Sequence, residues 1–265
     1  MGLMHVSFLS QKLGFHTNVY IILPTEKFND SKKFPVLYLL HGGAGNAQDW
    51  IRFSSIERYA QENEIAVVMP EVGGSSFYGD MVHGYAYYTY LTVELPLIIN
   101  RYFPVSDKRE ERFVAGFSMG GYGAFKWAFN EPEYFVAAAN FSGISFIEEI
   151  FDENRGGFAK QAKIDERGIC NLVWGGYDKM LGTMNDTRYM VTHALENKLS
   201  LPKLYSVIGR DDFSYEHAKR YVTFLADNKI PIEFHEMDGG HDWRVWDEAV
   251  KNFIPWAIRS GKIGV

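Results

Sequence analysis

The chain has 265 residues, 46% of them hydrophobic and 23% charged, a balance that excludes global disorder and leaves enough apolar surface for a substantial core. Its 27 lysines and arginines against 33 aspartates and glutamates leave a net charge of −6, which offers no basic footprint for nucleic acid or for an anionic membrane. The single cysteine, Cys170, excludes an internal disulfide and a Cys-type zinc site and suits a reducing compartment.

In chain order, residues 1–10 carry no Lys or Arg ahead of their apolar residues and meet Gln11, Lys12 and Gly14 too soon for a signal peptide. No run approaches the roughly 18 consecutive apolar residues of a membrane span, so a cytoplasmic setting is expected. Strands are predicted at 16–23 and 34–40, separated by a polar turn around Asn29 and Asp30. The second is almost continuously apolar, as a strand buried on both faces must be, and is expected to be central. A helix is predicted at 54–63, a strand at 65–69, and a Gly- and Tyr-rich loop at 71–85. The helical stretch 87–102 carries Pro96, which should kink it or open a new first turn. Then follow a strand at 112–117, a helix at 120–129 and a strand at 135–141. After a stretch of weaker periodicity at 144–201 come a strand at 203–208, a helix at 214–228, a strand at 232–236 and a last helix at 243–259. Apolar β-type runs alternating with helical periods predict a mostly parallel sheet covered on both faces, in one α/β domain over 1–265, with 144–201 as a cap-like insertion.

The most informative stretch places Gly116, Ser118 and Gly120 as Gly-x-Ser-x-Gly directly after a predicted strand and before a predicted helix. Turning from strand to helix at one residue forces strained backbone there, and side chains two before or two after would collide with the turn. Ser118 would thus be thrust out at the sheet edge as a nucleophile. The helix that follows brings N–H groups and a positive dipole end to the same spot, with Met119 N–H as a first oxyanion donor. A second donor is required from a neighbouring loop. The Gly43 N–H, in His41-Gly42-Gly43-Ala44-Gly45 at the end of the central strand, is the natural candidate. His41 itself reads as structural.

A serine hydroxyl needs a base, and the base needs a carboxylate to hold its tautomer. Of the histidines after Ser118, His193, His217 and His235 fall in the presumed cap, a helix and a strand, whereas His241 follows the last strand in the loop Asp238-Gly239-Gly240-His241. His241 is the expected base. For the acid, Asp211 and Asp212 both follow the strand at 203–208, Asp211 being equally able to cap the next helix, and Asp178 is an outsider. No His-Glu-x-x-His or clustered His and carboxylate pattern points to a metal, and no Gly-x-Gly-x-x-Gly follows the first strand, so no cofactor is expected.

These residues resemble the esterase D-like branch of the α/β-hydrolases, which includes tributyrin esterases, S-formylglutathione hydrolases, and feruloyl and acetylxylan esterases. The resemblance rests on Tyr38-Leu39-Leu40-His41-Gly42 with Gly45-Asn46 and Asp49-Trp50, on Gly116-Phe117-Ser118-Met119-Gly120-Gly121-Tyr122-Gly123, and on Gly240-His241-Asp242-Trp243 with Trp246. It runs from about Val6 into the last helix and looks closest to small bacterial tributyrin esterases. It implies an α/β-hydrolase fold, Ser118, His241 and Asp212 as the triad, Gly43 and Met119 as the oxyanion donors, and cofactor-free hydrolysis of short-acyl esters. The aromatic residues Trp50, Trp243, Tyr78, Tyr85, Tyr87 and Tyr88 could floor a sugar or aromatic leaving group, or simply pack. A feruloyl or acetyl-sugar ester, S-formylglutathione, or an alcohol acceptor in acyl transfer are alternative substrates. A non-catalytic binding module on a hydrolase scaffold is the rival from another class. The expected partner is a small-molecule ester, with a homo-oligomer open.

Overall fold

The apolar run Val36–Leu40 is a strand buried at every position, the condition for a strand with helices packed on both of its faces. In the computed structural model, which describes residues 1–27, 32–151 and 166–262, it is β3 of an eight-stranded sheet. The other strands are β1 (Gly2–Leu9), β2 (His16–Leu23), β4 (Ala66–Pro70), β5 (Arg112–Phe117), β6 (Ala137–Phe141), β7 (Lys203–Gly209) and β8 (Ile232–Met237). Their order is β1-β2-β4-β3-β5-β6-β7-β8; β1–β2 and β2–β4 pair antiparallel and every other neighbouring pair is parallel. This is the mostly parallel sheet of an α/β-hydrolase fold, as expected.

The helices are α1 (Asp49–Phe53), α2 (Ile56–Glu62), α3 (87–102), α4 (Met119–Asn130), α5 (Ile147–Ile150), α6 (Glu166–Trp174), α7 (Tyr177–Met180), α8 (Thr187–Glu196), α9 (Tyr215–Asp227) and α10 (Trp243–Lys262). Two core clusters separate across the sheet. On one face Leu37, Leu39, Phe113 and Ala115 pack with Trp50, Ile56 and the α10 stripe Val245, Trp246, Ala249, Val250 and Phe253. On the other, Tyr38, Leu40 and Val114 pack with Tyr90, Tyr122, Trp127 and Tyr221. Alternate residues of one strand thus feed opposite layers. The expected insertion contributes Phe146, Ile147, Val173, Met190 and Val191 to this second cluster, so its described parts are packed on α4 and α9; residues 152–165 of that expectation lie outside the described residues.

Two differences from the sequence reading have physical reasons, and one expectation acquires its detail. Gly2–Leu9 is a full strand, paired residue for residue from Gly2↔Leu23 to Leu9↔His16, with Met4, Val6 and Phe8 inward and the alternate positions more exposed. The strand predicted at 34–40 starts at Val36; Pro35 lacks an N–H, and Phe34 instead bridges to Val105. The stretch 87–102 is helical throughout and passes through a π turn at Tyr90–Glu94, and Pro96 opens the first turn of the final segment, the second of the two expected outcomes, where its missing N–H is harmless.

The register brings the functional loops together. Leu40 lies opposite Gly116, Phe117 opposite Phe141, Phe141 opposite Val207, and Gly209 opposite Met237. The loops after β3, β5, β7 and β8 therefore open on one rim, the C-terminal edge where parallel sheets place their ligands.

Candidate active site

Ser118 stands between β5 and α4 with φ +53° and ψ −120°, a backbone conformation that non-glycine residues rarely adopt. From Phe113 to Phe129 it is the one residue that is not buried. Its N–H donates to Phe141 O at 3.0 Å and its carbonyl accepts from Gly121 N at 3.0 Å, so the main chain on both sides is fixed. The neighbouring glycines leave no alternative. A Cβ at Gly116 would fall 2.3 Å from Gly120 O, and one at Gly120 would fall 2.5 Å from Leu40 O and 2.6 Å from His41 O. The steric reasoning applied to the motif thus has named atoms behind it, and it includes the end of β3 as well as the turn itself.

His241 Nε2 lies 3.0 Å from Ser118 Oγ, and His241 Nδ1 lies 2.9 Å from Asp212 Oδ2. The imidazole is walled by rings, with Phe213 at 4.6 Å between centroids and Trp246 edge-on at 5.0 Å. Asp212 is buried; its Oδ1 accepts from Ser214 N at 2.8 Å and Ser214 Oγ at 2.7 Å. Burial pushes the Asp212 carboxyl up, but the hydrogen bond and charge of His241 and the two Ser214 donors outweigh it and hold it below the usual carboxylate value. An ionised Asp212 can only accept, so Nδ1 carries the ring proton and Nε2 is left to accept from the Ser118 hydroxyl. Asp211 is exposed, its N–H donating to Gly239 O at 2.9 Å, and Asp178 is exposed on α7. Of the three aspartates weighed from sequence, Asp212 is the one that meets the histidine. The loops after β7 and β8 are themselves locked, since a Cβ at Gly209 would fall 2.3 Å from Gly239 O.

On the other side of Ser118, Gly43 approaches the start of α4 closely enough that a Cβ on it would stand 3.9 Å from Met119 Cβ. His41 is fully buried and neutral, burial lowering its pKa; its Nδ1 donates to Gly42 O at 2.8 Å and its Nε2 accepts from Val72 N at 3.2 Å. The structural reading of His41 thus acquires a purpose. In a trans peptide the C=O and N–H point oppositely, so gripping Gly42 O aims the Gly43 N–H the other way.

The aromatic candidates divide. Trp50 is fully buried, with its indole N–H donated to Leu40 O at 3.1 Å, and has no surface to offer a substrate. Trp243 is half-buried, edge-on to Trp50 at 5.2 Å and against Phe117 at 4.7 Å. Tyr78 is fully buried and donates from Oη to His41 O at 2.7 Å, which makes it part of the scaffold, not a floor; Tyr87 is buried, and Tyr85 is exposed. Sequence reasoning missed Ser214, whose two donors to Asp212 follow from the Asp-x-Ser spacing of an Asx turn. It also missed Lys126. Among the described residues there is no cluster of His, Cys, Asp and Glu that could hold a metal ion, and no helix is long and apolar enough to cross a membrane.

Comparison with known proteins places the chain in a family. The esterase family described as "Putative esterase" matches residues 10–256. An acetyl esterase of Caldicellulosiruptor saccharolyticus is 31% identical over 97% of this chain and 98% of its own length. Among solved structures, the fluorophosphonate-binding serine hydrolase F of Staphylococcus aureus, with substrate bound, is 32% identical with a TM-score of 0.86, covering 97% of this chain and 98% of that one. The S-formylglutathione hydrolase of the same organism is 31% identical with a TM-score of 0.83 and the same coverage.

Proposed function

The chain belongs to this esterase family and is a serine hydrolase acting on carboxylic esters, and from that premise we propose that it cleaves short-chain acyl esters through an acyl-Ser118 intermediate. The observation that carries the reading is the single imidazole bridge: His241 reaches Ser118 Oγ with one nitrogen and Asp212 with the other. In the first half-reaction Ser118 Oγ attacks the ester carbonyl, His241 Nε2 takes its proton, and the Met119 and Gly43 N–H groups hold the developing oxyanion. The imidazolium then protonates the leaving alcohol. Water, deprotonated by the same nitrogen, releases the acid and restores the serine. Buried Asp212 stabilises the imidazolium and stays ionised because Ser214 and His241 satisfy it.

An acetyl or similarly short acyl group is favoured by the likeness to the acetyl esterase over nearly both full lengths. S-formylglutathione is the second reading, favoured by the comparable likeness to the S. aureus hydrolase of that thioester. A tributyrin, feruloyl or acetyl-sugar ester remains within the reach of the same chemistry. Ser118→Ala is expected to abolish turnover of p-nitrophenyl acetate and labelling by a fluorophosphonate while leaving the melting temperature within a few degrees. Turnover or labelling retained by the variant overturns the reading. A panel of acetyl, butyryl, feruloyl and S-formyl donors ranked by kcat/KM fixes the acyl class.

A further inference from the structure

Lys126 lies two turns beyond Ser118 in the middle of α4, a helix buried on all sides, and is itself 3% exposed. Its Nζ donates to Tyr78 O at 3.0 Å and to Asn185 Oδ1 at 2.6 Å, and it lies over the rings of Tyr88 at 4.8 Å and Tyr122 at 5.9 Å. No carboxylate pairs with it among the described residues; Asp80, the acid that acts on it from a distance, is engaged by Thr89 N and Oγ1. Burial lowers its pKa to about 7, with Asp80 pulling the other way. A buried ammonium without an ion-pair partner is costly, and the fold gains from it only what its hydrogen bonds hold in place.

Those bonds lead somewhere specific. Phe77 and Tyr78 are consecutive left-handed residues, at φ +46° and +49°, a conformation that persists only where the surroundings impose it. Lys126 grips the Tyr78 carbonyl. The Tyr78 ring lies so close to α4 that a Cβ at Gly123 would be 2.4 Å from it, and its Oη donates to His41 O, the first carbonyl of His41-Gly42-Gly43. At the other end, Asn185 immediately precedes Asp186, the N-cap of α8, and its backbone carbonyl accepts from Tyr122 Oη at 2.7 Å. A continuous line of hydrogen bonds runs from the insertion through Lys126 and Tyr78 to the loop that carries Gly43.

We propose that Lys126 is a positioning residue that braces the Gly43 loop through Tyr78 and ties that loop to the α8 end of the insertion through Asn185. This rests on the reading of Gly43 as an oxyanion donor. A brace of that kind acts on the transition state and not on substrate binding, so its loss lowers kcat at constant KM.

The test compares Lys126→Met, Tyr78→Phe and the double variant, each with p-nitrophenyl acetate and butyrate, alongside thermal melts. Each single variant is expected to lose about 10-fold in kcat, a fraction of the 100- to 1,000-fold typical of a deleted oxyanion donor, with KM within about twofold. The double variant should be no worse than the poorer single one, because both cut the same line. Wild-type kcat in folded Lys126→Met, losses that multiply in the double variant, or a change confined to KM or to the melting temperature overturns the proposal. Should Lys126→Met not fold, Tyr78→Phe decides: a kcat loss at constant KM upholds the brace, and wild-type kcat sinks it. Ser118→Ala and fluorophosphonate labelling judge the esterase reading separately, so failure of the brace leaves that reading standing and failure of the serine chemistry is recognised by itself.

Discussion

The two halves of the site are held by opposite means. The serine half is a matter of main-chain sterics: Gly116, Gly120 and the carbonyls of Leu40 and His41 are in such close contact that Ser118 can occupy only its strained conformation. The histidine half also has closely packed loops at Gly209 and Gly239, but its functional groups are aimed by side chains: Asp212 is fixed by two bonds from Ser214, and His241 by Asp212 and the rings of Phe213 and Trp246. A perturbation of the first half should therefore be felt as lost stability. In the second half it should be felt as lost chemistry in a protein that still folds.

The sharpest separation is expected from Asp212→Asn, which can donate toward Nδ1 and so favours the wrong tautomer. It should lower kcat by about 10⁴-fold with only a small fall in the urea midpoint, while Asp211→Asn stays within twofold in steady-state kinetics. Gly120→Ala is the converse: its Cβ meets backbone atoms that cannot rotate away, and equilibrium urea unfolding should show a loss of about 3 kcal/mol. A cost under about 1 kcal/mol would mean that the serine half is more pliable than the contrast allows.

Ser214→Ala removes one of the two Ser214 donors and leaves the N–H. On the order of 1 kcal/mol of carboxylate stabilisation should go, read as a roughly 5-fold fall in kcat with KM unchanged. The smallest effect is on pH dependence of stability. The folded-state pKa of Asp212 is depressed, so its contribution is fully present above the unfolded value near 3.9 and fades as pH falls through the folded value. Acid titration should show that Asp212→Asn flattens the low-pH limb below about pH 4, and an unchanged limb would show that Asp212 is not held down by its partners.

The same contrast explains what could be read from sequence. Sterics write themselves into residue identity: only glycine fits at Gly116 and Gly120, so the serine turn was legible as a spacing, and the strand–turn–helix around it followed. The histidine half depends on which way side chains point. That left Asp211 and Asp212 open on the residues alone, until the family resemblance favoured Asp212, because both follow β7 and only the turn through Gly209 decides which carboxylate faces inward. The central strands, buried on both faces, were legible from nearly continuous apolarity. β1 was not, because one face of an edge strand is solvated and its alternating Met4, Val6 and Phe8 are a weaker signal than an unbroken run. Trp50 and Tyr78 were weighed as substrate contacts because aromatic identity does not tell packing from binding; only burial does. Lys126 carried no signal at all, since a lysine in a buried helix reads from sequence as a solvent-facing position.

The sheet order has a consequence for when the protein becomes reactive. From β5 outward, β6, β7 and β8 are laid down side by side in the order in which a ribosome would deliver them, with the carboxylate arriving after β7 and the imidazole after β8. The histidine is translated 123 residues after the serine it faces. On the proposed reading of the triad, a nascent chain that has folded its serine turn against β3 stays inert until β8 docks and brings the imidazole to the serine.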